Sequence, residues 1–184
     1  MTHTLHALKH EHRVIEKALR ALDGVCARLQ WGNHVPSEVL ARLADFIRTF
    51  ADRNHHGKEE MYLFPLLQKH GLVQNGGSLG ALRREHQIEN ELSTEMHRAI
   101  EGYRGADPMA RQHFIELASK YSRHLLSHID KEDQIVIRLA DELFDEKDLA
   151  SLSAGFQLAE SEFGAGAIEK YEGIASELER DWAL

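Results

Sequence analysis

Apolar side chains recur along the first thirty residues with a period of seven. Leu5, His12, Leu19 and Cys26 form one row, and Leu8, Ile15, Leu22 and Leu29 form another beside it. Two such rows make the seam of a helix packed lengthwise against its neighbours, predicted here over about residues 4–30. The segment from Trp31 to Pro36 breaks the pattern, with Pro36 suited to a first helical turn. A second helix is predicted to about residue 69, followed by a glycine-rich loop over 71–80. A third runs over about 79–101. Asp107 as N-cap and Pro108 as first helical residue then open a fourth, which extends to about 144. Only three prolines occur, and β-branched residues form no alternating runs, so strands are not expected. Short connections favour antiparallel neighbours. The expected fold is therefore all-α: an up-down antiparallel four-helix bundle over residues 1–147, with a C-terminal helical extension over 148–184. Two shorter helical stretches around Gly164 and Gly166 compose that extension, which packs on the bundle or forms an interface for a protein partner or a second copy.

Composition narrows the partners. The 184 residues carry 30 acidic against 22 basic side chains, a formal net charge of -8. Phosphate binding needs a basic surface, so nucleic acid is not the expected partner. No N-terminal signal is present, and no apolar run approaches the roughly 18 residues of a membrane span. A single cysteine, Cys26, allows no internal disulfide and fits a reducing compartment. The expected location is the cytoplasm.

Thirteen histidines are the anomaly, and position decides among them. His12 lies in the first seam. In the run from His55 to Glu60, a regular helix places His55 over Ala51, Ile47, Ala44 and Leu40. It places His56 over Arg53, Asp52, Thr49, Arg48 and Asp45. His55 is expected inward and His56 outward. Glu59, one turn after His55, shares its side, with Glu60 the alternative. In helix three, Leu79, His86, Ser93 and Ile100 form one row and Leu82, Glu89, Met96 and Tyr103 the next. In helix four, Phe114, Tyr121, His128 and Ile135 are seven apart. Glu132 follows His128 by four residues, between Leu125 and Leu139, and Asp133 is its alternative.

The spacing points to an internal duplication. Glu11-His12 resembles Glu85-His86, and the run His55 to Glu60 resembles His128 to Asp133. The intervals are 55 − 12 = 43 and 128 − 86 = 42 residues. Two hairpins of one kind, facing each other, bring two lone histidines against two His-x-x-x-Glu pairs. One buried histidine is ordinary core. Ionised carboxylates inside an apolar bundle, with no lysine or arginine expected on the same seams, require a cation. Imidazole with carboxylate and no thiolate suits iron, manganese or zinc, and six such ligands suit two ions in the middle of a bundle.

These motifs, spread over about residues 5–144, resemble the hemerythrin family, in particular its HHE cation-binding branch. The resemblance implies a bundle holding two Fe ions with an oxo or hydroxo bridge, with zinc or manganese as alternatives. It implies His12, His55, Glu59, His86, His128 and Glu132 as metal ligands, the two glutamates bridging. O2, NO or peroxide would be the ligand, for sensing, detoxification or iron-centre repair. The alternative is an iron-binding regulatory or interaction module without turnover. Oxygen-carrying members have a second histidine four residues after the helix-three ligand, and here that position is Asn90. Four histidines with two glutamates resemble the Repair of Iron Centres proteins more, and imply one iron more open than in the carriers. Glu89 is placed to fill the gap or to hydrogen-bond an imidazole. His124 and Tyr121 stand one and two turns before His128, near enough to serve as proton donors or outer ligands. His6 and His10 are expected at the surface, Met61 and Met96 in packing, Cys26 as an inert buried thiol, and the acidic residues after 141 in solvent.

Overall fold

The computed structural model describes residues 3–73, 76–103 and 107–184. Residues 74–75 of the glycine-rich loop and 104–106 of the next connection, both predicted as loops, lie outside the described residues. Every regular element among the described residues is helical. Helix α1 is His3–Gln30, and α2 spans residues 37–69. Helix α3 is Gly77–Gly102, and α4 spans residues 108–143. The C-terminal pair is α5, Glu146–Phe163, and α6, Ala167–Trp182. Pro36 is the N-cap of α2 instead of lying in its first turn. Asp107 caps α4 by accepting from the Met109 amide, with Pro108 inside the first turn.

Neighbouring helices are tied to one another by specific residue pairs. Glu11 of α1 meets His55 and Lys58 of α2, Glu60 of α2 meets His86 of α3, and Glu85 of α3 meets His128 and Lys131 of α4. His12 of α1 meets Asp133 of α4 and closes the ring. Two apolar clusters lie along the core. The larger gathers Ile15, Leu19, Leu22, Phe46, Phe50, Phe114 and Tyr121; the smaller gathers Leu5, Leu8, Phe64, Leu67, Leu82 and Ile137. The first seam is buried throughout, as the heptads predict.

Helices α2 and α4 are not regular. Ile47–His55 and Glu59–Leu63 of α2, and Glu132–Val136 of α4, are π-helical. Bonds from i to i+5 widen the turn, so each residue rotates the chain by less than in an α-helix. The inward face therefore slips along the sequence. In α4, Ile135 was expected on the seam and is 42 % exposed, while Val136 and Ile137 are buried in its place. Leu139 is likewise only part-buried and Ala140 takes the core position.

Helices α5 and α6 fold back on α1 and α2. A Cβ on Gly24 would lie 1.9 Å from the Trp182 carbonyl oxygen, and one on Gly155 would lie 2.3 Å from the Tyr62 ring. Both glycines permit helix contacts closer than alanine allows. Asp145 and Asp148 form a capping box at the start of α5. Asp148 is not the solvated acid expected of this stretch: its side chain is buried against His70 and pairs with Lys69.

Candidate metal centre

Between the two apolar clusters, α1 to α4 each direct histidine or glutamate inward. His12, His55, His128, Glu59 and Glu132 are fully buried, and His86 nearly so. Two groups of ligand atoms form, each with its members within 4.8 Å of one another: His12, His55, Glu59 and Glu132, and His56, Glu59, His86 and His128. All six side chains expected from the sequence are present in these groups. A seventh, His56, was expected in solvent.

The π turns correct that expectation. With less rotation per residue, His55 and His56 both face the interior, one toward each group. The His56 ring stacks on that of His86 at 4.1 Å between centroids. Burial and the nearby His86, His128 and His55 rings push its pKa well below the usual value, so it is a neutral imidazole with a lone pair to offer. Asn90 is exposed and supplies nothing. The third imidazole of the second group comes from the residue after His55.

The two glutamates each reach both groups. Glu59 places Oε1 3.6 Å from His55 Nε2 and Oε2 3.5 Å from His86 Nε2. Glu132 places Oε2 3.3 Å from His12 Nε2 and Oε1 3.2 Å from His128 Nε2. Nε2 of His12, His55 and His56 and all four oxygens of Glu59 and Glu132 are buried without a hydrogen-bond partner of adequate geometry among the described residues. Nε2 of His86 and Nε2 of His128 face each other at 3.1 Å. Buried donors and acceptors are almost always paired, so a concentration of orphaned lone pairs fits a bound cation.

Behind four of the five imidazoles stands a carboxylate. Glu11 holds His55 Nδ1 at 2.9 Å and Glu85 holds His128 Nδ1 at 3.0 Å. Asp133 holds His12 Nδ1 at 2.8 Å and Glu60 holds His86 Nδ1 at 3.0 Å. A carboxylate accepts, so Nδ1 donates and Nε2, once deprotonated, is the atom that offers a lone pair to the cluster. The alternatives left open by the sequence thereby separate: Glu59 and Glu132 face inward, and Glu60 and Asp133 orient the lone histidines.

The duplication extends to the lysines. Lys58 bonds Glu11, and Lys131 bonds Glu85. Lys58 was not expected inside, yet its side chain is 1 % exposed, with Glu160 at 3.4 Å and the Phe156 ring beneath its ammonium, both from α5. Lys131 is 44 % exposed. Its carboxylate partner Glu85 is held at about 2 by the His128 hydrogen bond, against some burial, and by Lys131.

Farther out, His124 contacts Glu89 at 2.8 Å and Tyr121 donates to Asp52 at 3.3 Å; neither belongs to either ligand group. Glu89 lies 3.7 Å from His56 Nε2. His10 is on the surface with Glu172, and His6 is exposed. Met96 is core, whereas Met61, expected in packing, is 61 % exposed. Cys26 is buried and its thiol pushed up to about 12, mainly by that burial.

The model of the hemerythrin HHE cation-binding domain matches residues 3–140. The chain belongs to that family. Three curated relatives are 25% identical over 178 residues, covering 96% of this chain and 69% of theirs: the uncharacterized protein Mb2018 of Mycobacterium bovis, and the uncharacterized proteins MT2051 and Rv1995 of Mycobacterium tuberculosis. No solved structure matches the chain significantly. As an HHE-domain protein it is expected to bind a metal cation, and the clustered donors suit that role. No helix among the described residues is long and apolar enough to cross a membrane.

Proposed function

We propose that this is a non-haem di-iron protein of the hemerythrin type that binds O2, NO or peroxide in the cytoplasm, for sensing, detoxification or iron-centre repair. In this reading α1 to α4 act as an up-down four-helix bundle around the centre. One observation carries it: buried Nε2 and carboxylate atoms without partners converge from four helices into two overlapping groups. Two ions satisfy them. His12 and His55 would hold one, His56, His86 and His128 the other, with Glu59 and Glu132 shared. A seven-ligand set gives one ion three imidazoles and the other two. The ion held by His12 and His55, having fewer protein donors, would be the one open to an outside ligand.

Iron, when bound there, would supply redox electrons and a coordination position for the ligand. The chain supplies the rest. Glu11, Glu60, Glu85 and Asp133 fix the tautomer of four imidazoles, and the apolar clusters on either side exclude water. The centre is tested by reconstituting the protein anaerobically with Fe(II) and measuring metal per chain. About two irons are expected, with optical changes on adding O2, NO or peroxide; one iron or none overturns the reading.

A second reading, a regulatory module without turnover, has its own observation. His55, Glu11, Lys58 and Glu160 form a continuous polar path from the cluster to α5. Iron-dependent protection of residues 146–182 from protease, without ligand turnover, would favour it.

A further inference from the structure

The two hairpins of the duplication match in their side chains but differ in what covers them. An interval of 73 residues carries His55 to His128, Lys58 to Lys131 and Tyr62 to Ile135 (128 − 55, 131 − 58 and 135 − 62). The same interval carries the π turn Glu59–Leu63 onto Glu132–Val136. On the first hairpin, α5 lies over these residues. Gly155 sits against the Tyr62 ring, the Phe156 ring lies 5.3 Å from the Lys58 ammonium, and Glu160 is 3.4 Å from it. On the second hairpin the equivalent side chains are open to solvent: Lys131 is 44 % and Ile135 42 % exposed. Between α3 and α4 they border a cleft of about 380 Å³, whose wall includes Gly77, Ala81, Leu82 and Val136. Lys131 has one anion, Glu85, where Lys58 has two. Arg84, one turn after Ala81, is exposed and has no ion-pair partner among the described residues. This edge is therefore basic on a chain of net charge -8.

The chain itself shows what fits such a groove. Helix α5 carries Glu146, Asp148, Glu160 and Glu162 against a single Lys147, so it is an acidic helix with one apolar side. We propose that the α3–α4 cleft docks an acidic amphipathic helix of a partner protein, seated as α5 is seated on the first hairpin. A small residue would lie against Ile135 and an aromatic ring beside Lys131. Four residues after the ring, a carboxylate would reach the Lys131 ammonium, as Glu160 reaches Lys58. Affinity comes from apolar burial along the groove, and register from the ring and the charge pair on one lysine. A second copy of this chain has no such helix to give: its α5 is held by its own Tyr62 and Lys58, and the end of its α6 by its own Gly24.

No metal-ligand candidate lines the cleft, so this surface stands or falls apart from the di-iron reading. The probe is a fluorescently labelled peptide of residues 146–163, titrated with the full chain and followed by anisotropy. The chain's own α5 already occupies the first hairpin, so the peptide reports on the second. Saturable one-to-one binding tighter than about 100 µM is expected. Phe156→Ala or Glu160→Gln in the peptide should each weaken it at least about fivefold. In the protein, Ile135→Glu should abolish binding and Arg84→Glu should weaken it at least about fivefold. Both positions are exposed, so the melting temperature should not change. The proposal is overturned if the peptide does not bind, if the two peptide changes have no effect, or if binding survives Ile135→Glu. It is also overturned if the chain alone sediments as a dimer that Ile135→Glu dissociates, since the occupant is then a second copy.

Discussion

Oε2 of Glu11 lies 2.9 Å from Nδ1 of His55, and the same carboxylate bonds the ammonium of Lys58 in a site closed to solvent. Its counterpart, Glu85 with His128 and Lys131, has the same chemistry beside open water. Two copies of one arrangement thus work in different dielectric surroundings, and the difference is measurable.

Replacing Glu11 by Gln should lower metal affinity about 10–100-fold, because the imidazole loses its anionic partner. It also leaves the buried ammonium only Glu160, at 3.4 Å, as an anionic partner, so the metal-free protein should lose roughly 2–3 kcal/mol of stability. Glu85→Gln should show a comparable affinity loss but at most about 1 kcal/mol of destabilisation, its lysine being half in solvent. Urea unfolding of both variants beside chelator competition separates the two effects. Equal destabilisation would contradict the asymmetry.

His56→Ala should reduce iron retained after desalting from about two per chain toward one, since the second group loses an imidazole. Arg53→Ala, three positions earlier, serves as the surface control. If His56→Ala keeps both metals, His56 is a neighbour and not a ligand.

Much of the convergence of these side chains was legible beforehand, and the errors share a cause. His12, His55, Glu59, His86, His128 and Glu132 were readable because heptads and the repeated His-x-x-x-Glu spacing depend on near-regular helix. His56 and Ile135 were misplaced because both assignments carried 100° per residue through π turns. Lys58 was missed for another reason. Its burial is created by Glu160 and Phe156 of α5, whose docking leaves no local trace in the periodicity of α2.

The metal-free protein should be proton-rich at its centre. Burial pulls His12 and His86 down, but Asp133 and Glu132 beside His12, and Glu59 and Glu60 beside His86, outweigh it and hold both at about 9. Raised pKa values in the folded state contribute stability that is complete below about 6.5 and lost as pH rises through 9. The apoprotein's melting temperature should therefore fall between pH 6.5 and 9. Fe(II) uptake at pH 7 should release protons from both residues, seen with an indicator dye in weak buffer; uptake without proton release would refute this.

Asp52 behaves in the opposite chemical sense with the same outcome. Burial, with Glu89 nearby, lifts its carboxyl to about 6, against hydrogen bonds from Ser93 and Tyr121. Between about 3.8 and 6 the folded state keeps a proton that the unfolded state has lost, so stability declines across that window. Above it the ionised group costs about 3 kcal/mol. Asp52→Asn should stabilise the apoprotein at pH 8 and have little effect at pH 3.5, by chemical denaturation at the two values.

Gly24→Ala should loosen α6, because the new Cβ meets the Trp182 backbone and not a movable side chain. A cost of about 1–3 kcal/mol is expected, with a red shift of Trp182 emission and earlier proteolytic cutting after residue 166. Unchanged emission would mean that α6 accommodates the methyl group in place.

The π turns make α2 two helices out of phase sharing one axis. Deleting a single residue from 47–54 would let the segment relax into regular α-helix, with composition and hydrophobicity nearly untouched. Everything downstream would then be re-indexed: His56 would swing away from His86, and the Glu59 carboxylate would no longer reach both groups. The length of this segment, counted in residues, is therefore as much a part of the candidate metal centre as the side chains that face it.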